Sequence, residues 1–232
     1  MSSLIVDKNN TRYDSREECN AIIETATNTL ICSCPNTIIP SSVTGIGSQA
    51  FANSSVTSIT IHEGVTSIGG EAFRWCYSLT SITIPKSVTS ISYSILANCP
   101  SLSSIVVDSE NPSYDSRENC NAIITKSNML IAGCQNTIIP NSVKSIREDS
   151  FFGCTRLTSI TIPESVTSIG NSAFAFCDSL ASITCKAATP PTLGSSNNLS
   201  NVQVVYVPAE SVEAYKQATN WSYYSDIIQA IP

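Results

Sequence analysis

Charge is scarce in this chain. Only 13% of its 232 residues are Asp, Glu, Lys or Arg, about half the share usual in globular proteins; serine and threonine fill the polar share instead. The 12 basic residues stand against 18 acidic ones, a net charge of −6, which excludes sequence-independent binding to nucleic acid. Long apolar runs are missing as well. None approaches the ~18 residues of a membrane helix, so no membrane insertion by this chain is expected. The start, Met1-Ser-Ser-Leu-Ile-Val-Asp, has no basic region followed by an apolar stretch and is not a signal peptide. A cytoplasmic protein and an exported one whose leader is gone both fit that start.

Histidine is nearly absent: His62 is the only one. Catalysis by Ser-His-Asp or Cys-His needs a base beside the nucleophile. His62-Glu63 does not extend to HExxH, and GxSxG, the P-loop and GxGxxG are absent. The ten cysteines include no CxxC pair, so zinc spacings are missing too. No catalytic residue, metal or cofactor is therefore expected. The chain is nevertheless 42% hydrophobic, too apolar for disorder and long enough for a real core.

What fills the chain is repetition. Ile39-Pro-Ser-Ser-Val-Thr-Gly-Ile-Gly-Ser-Gln-Ala-Phe recurs, with variation, from Ile61, Ile84, Ile139 and Ile162, at steps of 22 and then 23 residues. Each copy runs on to a Cys (Ser54 in the first) and then to Ser-Leu-Thr-Ser-Ile-Thr-Ile or a close variant. A longer unit also recurs: Tyr13-Asp-Ser-Arg-Glu-Glu-Cys-Asn-Ala-Ile-Ile matches the segment from Tyr114, and Leu30-Ile-Cys-Ser-Cys-Pro-Asn-Thr-Ile-Ile-Pro matches that from Leu130. The offset falls from 101 to 100 between them, so one residue differs in the intervening turn.

The pattern Leu79-x-x-Ile82-x-Ile84-Pro85-x-x-Val88-x-x-Ile91, preceded by Ala72-Phe73-x-x-Cys76, resembles the BspA-like leucine-rich repeat family of bacterial surface and secreted proteins. The YDSREnCNAII insert and the tail from Val205 resemble features of its gut-bacterial members. The resemblance spans nearly the whole chain. It implies a β-rich leucine-rich-repeat solenoid: a curved, right-handed superhelix of parallel sheet with short helical or 3-10 segments. It also implies a place at the cell surface or outside the cell, and an extracellular or host protein as partner. The residues themselves leave the cytoplasm open.

Simple physics supports that fold. Ile82 and Ile84 share one strand face, and Ser81 and Thr83 the other. One coil cannot bury its apolar face alone, whereas stacked coils cover one another. Val88 and Ile91 are expected to point inward from the opposite wall. Pro40, Pro85, Pro140 and Pro163 mark strand ends, and Gly47, Gly69 and Gly170 are read as permitting a bend. Phe51, Phe73, Phe151 and Phe174 are expected to stack as a ladder inside. Cys76, Cys99, Cys154 and Cys177 are expected as a second, reduced ladder; for Cys19 with Cys34, and Cys120 with Cys134, a bridge across a hairpin stands as the alternative.

The solenoid is assigned to residues 1–185, with hairpin-bearing inserts at about 7–38 and 108–138, and a cap to 186–232. In the cap a strand is expected at 202–207 and a helix at 209–218, with Trp221, Tyr223, Tyr224, Ile227 and Ile228 as an apolar seal. The N-terminal edge is expected to be exposed, or the parent truncated. His62 is read as an exposed variant of the proline slot. The acidic stretches 7–18 and 108–120 are read as solvated loops in which Arg16 and Arg117 pair with a carboxylate.

Two surfaces are candidates for binding. On the strand faces, Ser58, Ser81, Ser104, Ser159 and Ser182 are expected in one column, and Thr60, Thr83, Val106, Thr161 and Thr184 in a second. In the insert loops, Tyr13, Arg16, Tyr114 and Arg117 carry the side chains commonest in hot spots. The favoured reading is a non-catalytic protein-interaction module, adhesive to host or neighbouring-cell proteins. A glycan-binding hydroxyl wall, a hydrolase using Glu63, Glu71 and Asp178, and a plain structural spacer are the competing readings.

Overall fold

The structure is a computed structural model that describes residues 3–195, 197 and 199–232. The alternation of β-branched Ile with Ser and Thr builds the first wall of each coil. In the strand Ser81–Ile84, Ile82 and Ile84 are buried while Ser81 and Thr83 face out. It pairs in parallel with Ser104–Val107 in the register Ser81↔Ser104, Ile82↔Ile105, Thr83↔Val106 and Ile84↔Val107. The chain then turns at Pro85 and forms the short strand Ser90–Ile91, which pairs in parallel with Ser67–Ile68. Val88 and Ile91 are inside, as expected.

A third side closes the coil, and here backbone links backbone without regular strands. Phe51 N–H donates to Ala72 O (2.8 Å), Phe73 N–H to Ile95 O (3.0 Å) and Phe151 N–H to Ala173 O (2.9 Å). The phenyl ladder is real but broken in the middle. Phe51 and Phe73 stack at 5.2 Å and Phe151 and Phe174 at 5.3 Å, with Leu96 in the slot between the two pairs. Five coils turn this corner through two left-handed residues: Gln49 and Asn53, Glu71 and Trp75, Ser94 and Asn98, Asp149 and Gly153, Ser172 and Phe176.

The glycines before this corner do a different job from the one read in the sequence. Gly47, Gly69 and Gly170 have ordinary negative φ; among the described glycines only Gly153 is left-handed. What Gly69 and Gly170 provide is closeness. A Cβ on Gly170 would lie 2.3 Å from Glu148 N, and one on Gly69 2.5 Å from Ser48 N. The backbones of adjacent coils touch at this slot.

The two inserts are antiparallel hairpins, Ala21–Glu24 with Thr29–Ser33 and Ala122–Thr125 with Met129–Gly133. They extend a wall rather than project from it, because Thr29–Ser33 and Met129–Gly133 each pair in parallel with the next short strand, Gly45–Ile46 and Ser145–Ile146. The second hairpin is buried on both faces. Ile123, Ile131, Ala132 and Cys134 join the hydrophobic core of the first half, and Cys120, Ala122, Ile124 and Leu130 that of the second. The first hairpin is covered on one face only: Ala21, Ile23 and Leu30 are buried, Ile22 and Ile31 are half-exposed and Cys32 is exposed.

The winding continues past Cys185. Thr192–Leu193 pairs with Ser168–Ile169, and Val204–Val207 with Ser182–Cys185, before Ile228–Ala230 adds the last parallel strand. The prolines of 190–191 lengthen that coil's loop without ending the stack. The helical element is a 3-10 turn, Ala209–Ser211, followed by the α-helix Val212–Gln217. Tyr215 and Trp221 plug the end, ring edge to ring face at 5.2 Å; Tyr215 Oη–H donates to Ala187 O and Trp221 Nε1–H to Pro191 O, each at 2.8 Å. Tyr223 does not belong to the seal, since it stands 82% exposed on a 3-10 turn that aims it outward.

Cys76, Cys99, Cys154 and Cys177 are buried thiols. The Cys76, Cys99 and Cys177 sulfurs each donate to a carbonyl of the preceding coil at 3.1 Å. Burial pushes the Cys76 and Cys177 thiols up to about 12. The hairpin cysteines stand as thiols as well, so the bridges weighed above are not formed: Cys19 and Cys120 donate to Ala21 O and Ala122 O, and Cys34 and Cys134 to Asn20 O and Asn121 O. Of the ten cysteines, Cys32 is the exposed one. Native protein treated with a maleimide should therefore gain one label per chain by mass spectrometry, at Cys32, and ten after unfolding in guanidinium; rapid native labelling of the ladder would contradict this packing.

Candidate interaction surface

The expected hydroxyl columns exist, but as two shorter ones. Ser58, Ser81 and Ser104 are in register in one sheet, and Ser159 and Ser182 in another. The second hairpin lies between them and separates the sheets. Thr60 with Thr83 and Val106, and Thr161 with Thr184, follow alongside. None of the nine hydroxyls of Ser58, Thr60, Ser81, Thr83, Ser104, Ser159, Thr161, Ser182 and Thr184 has a hydrogen-bond partner among the described residues.

Other hydroxyls of the repeat behave differently. Thr66, Thr80 and Ser103 bond to Thr44 O, Thr57 O and Thr80 O at 3.1–3.2 Å, and Ser87 and Ser165 to Val65 O and Val143 O at 2.7 and 2.6 Å. Those groups brace one coil against the next. The strand-face hydroxyls are left for solvent or a ligand.

Sequence reading missed the apolar members of this face. Thr37-Ile38-Ile39-Pro40 and Thr137-Ile138-Ile139-Pro140 occupy the strand slot of Ile82-Thr83-Ile84-Pro85, so Ile38 and Ile138 stand where Thr83 stands. They are 72% and 75% exposed. The signal was present in the alignment, since the period of two puts the first of each Ile pair outward. Beside each isoleucine runs a groove. One is lined by Thr37, Ile38, Ser58, Ile59, Thr60 and His62, the other by Thr137, Ile138, Ser159, Ile160, Thr161 and Lys186. Among the described residues no backbone hydrogen bond crosses either groove, so each exposes an open strand edge.

His62 closes the end of the first groove. It is half-buried rather than exposed, because its ring ties two coils together: Nε2–H donates to Pro40 O at 2.8 Å and Nδ1 accepts Gly64 N–H at 2.9 Å.

The insert residues are placed otherwise than expected. Tyr114 is 8% exposed, and its hydroxyl accepts Ile91 N–H at 2.9 Å inside the stack; the second hairpin packs against the preceding coil and takes the ring with it. Tyr13 is half-buried under the Arg12 guanidinium, 5.1 Å from its ring centre. Arg16 and Arg117 pair with a carboxylate, as expected, but that pairing consumes them. Arg117 Nε and Nη2 grip Asp115 at 2.7 and 2.8 Å while Nη1 reaches Asn128 and Ser142. Arg16 repeats the clasp on Asp14, Asn28 and Ser42. These arginines lock each insert to its coil.

Burial alone would raise the Asp115 carboxyl, but the hydrogen bonds and charge of Arg117, with help from Lys126, outweigh it and hold it below its ordinary 3.8. A depressed aspartate contributes stability that is complete above its unfolded pKa and is lost as pH falls through the folded one. Asp115→Asn should thus cost about 1–2 kcal/mol at neutral pH, and the deficit should shrink on strong acidification, read from urea midpoints across pH. A pH-independent deficit would sink this account.

Of the carboxylates considered for hydrolysis, Glu71 is paired with Arg74 and accepts from Gln49 Nε2, and Glu63 is exposed in the turn after His62. Among the described residues no group of three or more His, Cys, Asp or Glu comes together to hold a metal. No helix among them is long and apolar enough to cross a membrane.

Stacked parallel rungs with a Leu-x-x-Ile-x-Ile pattern and a buried phenyl and thiol on the far side define a leucine-rich-repeat solenoid. The model of the BspA type leucine rich repeat region matches residues 30–124 and 131–218 in six copies. The chain belongs to that family. Its fold is similar to a leucine rich cell surface protein of Faecalibacterium prausnitzii, with a TM-score of 0.55 and 23% identity over 84% of this chain and 62% of that one. A leucine-rich repeat protein of Bacteroides ovatus aligns at 26% identity and a TM-score of 0.48, over 73% of this chain and 48% of that one. The chain thus spans less than two thirds of the length of either. No curated protein matches it.

Proposed function

We propose that this chain is a non-catalytic protein-interaction module of a bacterial cell-surface or secreted protein, adhesive toward host or neighbouring-cell proteins. The observation that carries the reading is the twinned groove on the strand face: an exposed isoleucine, an unpaired strand edge and free hydroxyls, built at residues 37–62 and again at 137–163. An extended segment of the partner adds its backbone to the open edge while an apolar side chain covers Ile38 or Ile138. Two similar sites on one stack, the first ending at His62 and the second at Pro163 and Lys186, suit a repetitive partner, where the second contact profits from the first. The cell-surface description of the Faecalibacterium protein supports the location.

The test is capture by immobilised chain of extracellular matrix proteins and whole cells. Ile38→Asp with Ile138→Asp should weaken capture at least ~30-fold, the size of a hot-spot loss of about 2 kcal/mol, with melting unchanged. Capture of nothing, or capture indifferent to both substitutions, would overturn the proposal.

A further inference from the structure

We propose that the cleft between Trp75 and Phe176, on the corner side of the stack away from the strand face, is a saccharide-binding site. Four successive rungs build it. Trp75 N–H donates to Ala97 O, Asn98 N–H to Phe152 O and Gly153 N–H to Ala175 O. Trp75, Asn98, Gly153 and Phe176 therefore stand in one column, one per coil, and Trp75 and Phe176 are about 14 Å apart at ~4.8 Å per rung. Asn98 and Gly153 form a low floor between two aromatic walls. Gly153 is left-handed at φ +70, and a Cβ there would meet Asn98 Oδ1 at 2.6 Å. Phe152, from the next slot, backs the cleft; its ring lies 5.0 Å from Phe176, tilted by 52°. The Arg74 guanidinium covers Trp75 at 4.3 Å and Phe152 at 5.6 Å. Thr155 and Asp178 complete the lining.

Backbone strain sets these aromatics apart. The column position is left-handed in five coils, three of which fill it with Asn53, Asn98 and Gly153, which adopt that conformation readily. Trp75 and Phe176 hold it at φ 61 and φ 58, unusual for bulky side chains. Phe176 gains no core burial in return, being 62% exposed. Bulky residues held in costly backbone conformations at the surface, at the two ends of one cleft, are a mark of function.

The chemistry around the rings selects the ligand. Arg74 is neutralised by Glu71, so the cleft offers no free cation to select an anionic group. Asn98, Thr155 and Asp178 have no side-chain hydrogen bond or ion pair among the described residues. An exposed phenyl face beside an amide, a hydroxyl and a carboxylate fits a sugar ring, whose C–H face stacks on Phe176 while its hydroxyls pair with the polar groups and its edge rests against Trp75. A dry protein contact would instead want a continuous apolar patch, which Asn98 and Asp178 interrupt.

The experiment is a glycan array of bacterial and mucin-type oligosaccharides probed with the full chain, followed by calorimetric titration of the strongest hit. Phe176→Asn and Trp75→Asn, which place a residue suited to the left-handed slot, should each lower affinity at least tenfold. Both should leave the thermal midpoint unchanged or raise it. A blank array, hits indifferent to both substitutions, or a large fall in midpoint would overturn the proposal; so would an unglycosylated protein that binds through Phe176 while the array is blank. Capture through Ile38 and Ile138 is read separately, so either site can fail alone.

Discussion

Phe73→Ala should cost the fold about 3–5 kcal/mol, the usual loss when a fully buried phenylalanine is truncated. Phe73 has no solvent exposure and stacks on Phe51. It sits in a column where the cavity left behind has little room to collapse, because the backbone on that side is tied to Ile95 O and, through Phe51 N–H and Ala72 O, to the coil before. The measurement is urea or guanidinium unfolding followed by circular dichroism. Tyr77→Ala is the control: 54% exposed, it should shift stability by no more than about 0.5 kcal/mol. Equal effects from the two would mean that the stack is not held from its axis.

Gly170→Ala should be nearly as damaging, at about 2–3 kcal/mol, although it adds one methyl group. The new Cβ would press on Glu148 N at 2.3 Å and on Arg147 C at 2.7 Å, both backbone atoms that cannot swing aside. Coil 162–185 would have to part from the coil before it. Gly47→Ala offers the contrast. Its Cβ would meet Leu30 O at 3.0 Å and the Thr29 methyl at 3.4 Å, where the layer beneath is a hairpin strand rather than another corner. That variant should lose about 1 kcal/mol or less. If both substitutions cost the same, close approach is not what these glycines provide.

Much of this architecture was legible because it rests on local periodicity. The inward isoleucines, the phenyl and thiol columns and the proline stops each follow from a strand period of two and a coil period of 23, and each recurs often enough to average out exceptions. The interaction surfaces were legible only in part. The strand-face hydroxyls follow from the same alternation, and Ile38 and Ile138 could have been read from it. Tyr114 and Arg117 misled because side chains common in interfaces also make good internal clasps, and only the folded hairpin shows which use prevails. The cleft was hidden for a topological reason. Asn98 meets Phe152 and Gly153 across an intervening hairpin, so its floor joins residues more than fifty positions apart in sequence. Its walls occupy a slot that in a single sequence looks merely variable. The glycines misled in a related way, since crowding between coils leaves no trace in any one of them.

The two-faced second hairpin has a consequence for how such proteins grow. A partition that accepts a finished coil on one side and starts the next on the other needs no new joint when the gene segment encoding it is copied. The two inserts lie about a hundred residues apart and carry the same arginine clasp, so a further copy would lengthen the stack by that step through a seam of the kind the second hairpin makes.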